Sequence, residues 1–177
     1  DLIAELLEIR LGSREDRRIQ LAHGMMREAL ELRAKNADRW VTHNAACARM
    51  IRNRNRSDSE RLGRFLLQAE QYAASLGPLF DAAVANEQSS DYISALALLN
   101  DYERALSQID GEESDARWGR ATVLRAAIHS GQSRLELAER LAAGVLEDAR
   151  SHGWAESEAH ALFRLGYVAR QRSDLPR

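Results

Sequence analysis

Apolar residues fall at helical spacing along nearly the whole chain, and capping or helix-stopping residues interrupt them at short intervals. This pattern predicts a stack of short helices. Ser57 and Glu60 stand at capping-box spacing, and behind them Leu62, Phe65, Leu66, Ala69, Tyr72, Ala73 and Leu76 follow the i, i+3, i+4, i+7 rule up to a stop at Gly77-Pro78. Ser133 and Glu136 form a second such box, followed by Ala138, Leu141, Ala142, Val145, Leu146 and Ala149 on one face, with Gly153 as the terminator. On this reading Ser133→Ala costs about 1 kcal/mol, because a first-turn amide loses its acceptor.

Between these anchors the same signals place further helices. Ser13 caps a long one to Lys35, carrying Ile19, Ala22, Met26, Ala29 and Leu30 on one face, and Asn36 ends it. A second runs from Ala37 to Arg52. Residues 79–99 are helical with an interruption near Gln88-Ser89-Ser90, and Asn100-Asp101 introduces a short helix at Tyr102-Glu103-Arg104-Ala105-Leu106 that ends at Gly111. The next runs from Asp115 to Ser130 and stops at Gly131; the last covers Trp154 to Arg172. No window is read as showing the period-2 alternation of a half-buried strand, so the expected class is all-α without a sheet, with about eight or nine helices in antiparallel neighbours. Residues this rich in Ala, Leu, Glu and Arg, with 2 Pro and 6% aromatics, suit helices. A chain of 177 residues fits one domain with an unstapled core.

The aromatic residues carry a longer period. Trp40, Trp118 and Trp154 each stand near a predicted helix start, and Phe80 fills the gap, giving steps of 40, 38 and 36 residues. Asn36-Ala37-Asp38-Arg39-Trp40 and Ser114-Asp115-Ala116-Arg117-Trp118 repeat the same local chemistry. A period of this length made of helix pairs indicates a solenoid, in which each pair buries its apolar face on the next. Leu165-Gly166, Ala169 and Ser173-Asp174-Leu175 have the spacing of a tetratricopeptide first helix and turn. Asn100-Asp101-Tyr102-Glu103-Arg104-Ala105-Leu106 looks like the turn into that family's second helix, with Gly131-Gln132 as a weaker copy.

The chain therefore resembles the tetratricopeptide repeat family, in the irregular form attached to bacterial regulators. The resemblance implies a right-handed α-α superhelix: N-terminal helices over 1–35, helix pairs over 36–77, 78–113 and 114–153, and a truncated repeat at 154–177. It implies a protein- or peptide-binding regulatory module, not an enzyme, whose concave face uses Trp40, His43, Arg125, His129, His160, Phe163, Tyr167 and Arg170. Aromatic faces and bidentate Arg suit peptide capture, although the same residues would also serve as gap fillers and solvated charges. Two alternatives stand beside this reading. One is a ligand sensor controlling an attached output domain, such as a diguanylate cyclase or a DNA-binding module. The other is self-association into a homodimer through apolar ends near Leu2 and Tyr167.

Charge and composition exclude other classes. With 25 basic and 27 acidic residues the net charge of −2 gives no field for a polyanion, which speaks against nucleic acid. Arg49, Arg52, Arg54, Arg56, Arg61 and Arg64 form a local cluster, but Asp58 and Glu60 offset it and no aromatic is interleaved for stacking. The five histidines never pair at i, i+4, and Cys47 lies in a small-residue run without a partner thiol, so neither a metal nor a cofactor is expected. No phosphate loop, Gly-x-Ser-x-Gly elbow or His-Glu-x-x-His appears. The absence of a membrane-length apolar run and the lone cysteine point to the cytoplasm. The opening segment without an initiator Met predicts a piece of a longer protein.

Overall fold

The structure, a computed structural model, describes residues 12–15, 18–21, 24–53, 58–109 and 115–173, with side chains from Glu28 onward. The chain divides into two compact units, 1–43 and 44–177.

The first unit departs from the all-helical expectation. Strands β1 (Gly12–Glu15) and β2 (Arg18–Leu21) pair antiparallel with Gly12 opposite Leu21 and Glu15 opposite Arg18. Helix α1 starts only at Gly24 and runs to Asn36, so Ser13 caps no helix. Arg18-Ile19-Gln20-Leu21 alternates polar and apolar residues, a strand pattern too short to stand out beside the helical spacing of its neighbours. Helix α2 (Trp40–Arg52) begins here and continues into the second unit, where its Asn44 and Ala48 are buried.

The second unit is all-helical among its described residues: α3 (Ser59–Gln68), α4 (Tyr72–Gln88), α5 (Tyr92–Leu106), α6 (Ala116–Gly131), α7 (Leu135–His152) and α8 (Ala155–Ser173). Neighbours in sequence pack together, and α3 also meets α5, α4 meets α6 and α6 meets α8. A leucine-rich core joins α3 to α6 through Leu67, Leu79, Leu98, Leu99, Leu106 and Ile128. A smaller one joins α6, α7 and α8 through Val123, Val145 and Ala161.

The helix boundaries have local causes. Asp58, Asp91 and Asp115 cap α3, α5 and α6 by accepting the amides of Arg61, Ser94 and Arg117. The expected capping residue Ser57 lies outside the described residues, and Asp58 supplies that cap. Four turns share one geometry: Asp38, Glu70, Ser90 and Ser133 adopt left-handed backbone with φ of 52°, 57°, 63° and 59°. In each, the left-handed residue's N–H reaches the carbonyl three positions back and the next N–H reaches five back, as in Gln71 to Leu66 at 2.9 Å and Arg134 to His129 at 2.9 Å. Gly153, with φ of 72°, closes α7 in the same region, and Trp154 N–H reaches Ala149 at 2.8 Å.

These turns correct three sequence expectations. Ser133 is the turn residue, and the N-cap position of α7 belongs to Arg134, which makes no side-chain cap bond. The helix expected from Ser57 to Leu76 is two helices, parted at Glu70. Gly77-Pro78 does not stop the chain, because α4 runs through it. Proline in a helix interior costs about 3 kcal/mol, but burial of Leu76, Leu79, Ala82 and Ala83 on the same helix outweighs that. This also puts Phe80 in mid-helix, whereas the three tryptophans do lie at helix starts.

Asn100-Asp101 is likewise inside α5, not a turn. Leu98, Leu99, Tyr102, Ala105 and Leu106 form the buried face of α5, and Asn100 stands on its exposed side. The break is at Ser89–Asp91, where the Gln88-Ser89-Ser90 interruption was expected. The boundaries expected at Asp115, Gly131 and Gly153 are all present.

Candidate functional site

Helix α6 presents Trp118, Gly119 and Thr122 on one face, and α7 presents Arg140, Leu141, Gly144, Val145 and Asp148 at i, i+4 and i+8 spacing. Between them lies an open cleft of about 220 Å³ whose remaining wall is Trp154. Two indoles, the aliphatic chains of Leu141 and Val145, and one cation and one anion on α7 thus surround one space. Arg140 and Asp148 are two helical turns apart, roughly 12 Å along the axis, so they bracket it.

The local sequence places each part. Gly153 turns the chain back at the end of α7 and delivers Trp154, whose ring stacks on His152 with centroids 5.0 Å apart. Gly119 lets that indole in, because a Cβ there would stand 2.8 Å from Trp154 Cε3 and 2.9 Å from Ser157 Oγ. Thr122 Oγ1 donates to the Trp118 carbonyl at 3.1 Å. At Gly144 a Cβ would meet nothing within 4 Å. A helix-interior glycine of this kind gives up about 0.5–1 kcal/mol relative to alanine with no packing return.

Just before α6, Asp115 caps the helix and also holds Arg117, with Nε 2.9 Å and Nη2 2.5 Å from Oδ2. The hydrogen bonds from Arg117 hold the Asp115 carboxyl below its usual range and raise the guanidinium in turn. On the far side of α6, Arg120 lies 4.8 Å from the Phe80 ring. Phe80 in turn packs on Tyr102, whose phenol burial pushes upward in pKa.

The residues nominated from sequence fall in several places. Trp40 and His43 belong to the first unit; the Lys35 ammonium lies 4.7 Å from the Trp40 ring, and His43 is exposed. Arg125 ties α6 to α5, donating to Glu103 at 2.9 Å and Asn100 at 3.0 Å. His129 is buried with a ring nitrogen 3.2 Å from Gln132 Oε1, and burial lowers its pKa. His160, Phe163, Tyr167 and Arg170 share the outer part of α8, where Tyr167 accepts from Gln171 at 3.0 Å and Arg170 lies 5.6 Å from the Tyr167 ring. Arg125 and His129 are therefore engaged in helix packing, while on α8 His160, Phe163 and Arg170 are exposed and Tyr167 is half-buried. The cleft itself is lined by other residues. Its one sequence signal is the Trp118 and Trp154 pair, which the periodicity marks as a repeat feature.

In the arginine cluster, Arg61 pairs with Asp58 at 3.5 Å and Arg64 with Glu60 at 3.0 Å, while Arg49 and Arg52 are exposed and Arg54 and Arg56 lie outside the described residues. Cys47 is half-buried in α2. Among the described residues no three His, Cys, Asp or Glu side chains gather as a metal site, and no helix is long and apolar enough to cross a membrane. The chain matches none of the protein-family models, curated proteins or solved structures compared with it.

Proposed function

We propose that the second unit is a tetratricopeptide-like interaction module that holds a short segment of a partner protein in the α6–α7 cleft. The observation that carries this reading is the pair of indoles, Trp118 and Trp154, facing a space that Gly144 leaves unfilled. Indole faces bury area at little entropic loss, and Arg140 and Asp148 stand where they can bond a peptide's carbonyls and amides at both ends of the inserted side chain. The recurrent left-handed turns and the packing of alternate helices, α4 on α6 and α6 on α8, support a helical-repeat arrangement. A cleft of about 220 Å³, open at the surface, is smaller than the roughly 300–1,000 Å³ of enclosed small-molecule sites, which favours one peptide side chain over a metabolite. The parent context we propose is a bacterial signalling or regulatory protein acting in the cytoplasm.

Selection from a random hexapeptide library, read by the indole fluorescence of the chain, tests this. Selected peptides are expected to bind the wild type and to bind Gly144→Phe at least about tenfold more weakly, since the new ring occupies the cleft. An unchanged circular dichroism melt would show that Gly144→Phe still folds. Equal binding by the variant, or failure to select any peptide, would overturn the reading.

A further inference from the structure

Helix α8 is apolar on both sides. Ser157, Ala161 and Val168 are buried against the fold. On the opposite side Ala155, Ala159, Leu162, Phe163, Gly166 and Ala169 are all exposed, Leu162 by 46% and Phe163 by 63%. A surface helix ordinarily carries charge on its outer face, as α7 does with Glu136, Arg140, Glu147 and Arg150. A helix with two apolar faces is one that something covers. None of these outer-face residues lines the α6–α7 cleft, so the cleft's ligand is not what covers them.

The charges on the same face indicate the occupant. Glu156, Ala159, Phe163, Gly166 and Arg170 are spaced three, four, three and four residues apart, the spacing of a coiled-coil seam. The seam begins with an acid, ends with a base, and has its bulk in the middle and small residues on either side. Such a pattern is complementary to itself when reversed. We propose that two copies of this chain pair their α8 helices antiparallel about a two-fold axis near Leu162 and Phe163, with Glu156 of each facing Arg170 of the other.

In that arrangement Ala159 meets Gly166, which lets the backbones approach, and Leu162 of one copy packs on Phe163 of the other. The helix dipoles oppose one another favourably. Both charges are available: Glu156 makes a long, exposed pair of 3.7 Å with Arg120, and Arg170 is exposed beside Tyr167. The interface is isologous, so each substitution acts twice. His160 and Tyr167 flank the seam and lie at its rim.

Sedimentation equilibrium of the full chain over a concentration series tests this. The wild type is expected to show a monomer–dimer equilibrium. Phe163→Glu, at a position exposed enough to spare the fold, is expected to remain monomeric with an unchanged circular dichroism melt. Glu156→Arg and Arg170→Glu are each expected to weaken the dimer about tenfold, since each sets like charges together at both ends of the seam. Mixing these two single variants should restore association as a heterodimer, and the double variant should restore the homodimer. A wild type that stays monomeric throughout, a Phe163→Glu dimer, or reversed charges that fail to recover association would each overturn the proposal. Peptide selection on Phe163→Glu keeps this outcome separate from the fate of the cleft.

Discussion

The α3–α6 core and the α6–α8 core share helix α6 as a common wall, yet they are filled with different material. Toward α3, α4 and α5, the fully buried side chains include Leu79, Leu98, Leu99, Leu106 and Ile128, backed by Phe80 and Tyr102. Toward α7 and α8 the buried cluster is Val123, Val145 and Ala161, with Leu146 beside it. Branched side chains of full length close the first space. Beside the second, smaller cluster an open cleft remains, walled by Gly119, Gly144, Val145, Trp154 and Trp118, the last of which also packs against the leucine-rich core. The same helical framework thus holds a closed leucine-rich core on one side of α6 and an open cleft on the other.

The largest expected effect measures that difference directly. Leu98→Ala removes a side chain with no exposure and should cost about 3–4 kcal/mol, whereas Val145→Ala beside the cleft should cost about 1–2 kcal/mol. Urea denaturation of both variants gives the two values, and equal losses would break the comparison. Next in size is Gly119→Ala. Its methyl group would press on Trp154 and Ser157 where α6 passes α8, and we expect about 2 kcal/mol of destabilisation with weaker peptide binding. An unaltered melt would mean that the Trp154 wall is loose.

The two regions also differed in how readily their helices could be read. In the second, Asp115, Gly131 and Gly153 punctuate the chain with residues whose chemistry stops or starts helices, and each boundary falls where expected. In the first, the turn between α3 and α4 is made by Ala69, Glu70 and Gln71, none of which advertises left-handed backbone, so the helices read as one. Gly77-Pro78 advertises a stop that core burial overrides, and Asn100-Asp101 is a polar pair on the solvent side of an amphipathic helix. Sequence spacing marks Trp118 and Trp154 as related, but not as lining one cleft. Arg140 and Asp148 read as ordinary surface charge until α6 is beside them. The site depends on two helices and the turn after α7 meeting, and helical periodicity reports only which face each helix buries.

The smallest effect concerns the turns that both regions share. Glu70 in the first region and Ser133 in the second hold left-handed backbone, at φ of 57° and 59°, and both are exposed. A side chain there costs roughly 1–2 kcal/mol relative to glycine, and the greater freedom of unfolded glycine returns about half of that. Glu70→Gly and Ser133→Gly should therefore each stabilise the fold by about 0.5–1 kcal/mol, and by similar amounts, since the hydrogen bonds that close the two turns are alike. Ser133→Ala separates this explanation from a capping role. A cap would lose about 1 kcal/mol on that change, but a turn residue exchanges one Cβ-bearing side chain for another and should leave the melting temperature nearly where it was. A clear loss in Ser133→Ala, or a gain confined to Glu70→Gly, would mean that the serine hydroxyl supports the start of α7, and that the two regions turn their helices by different means.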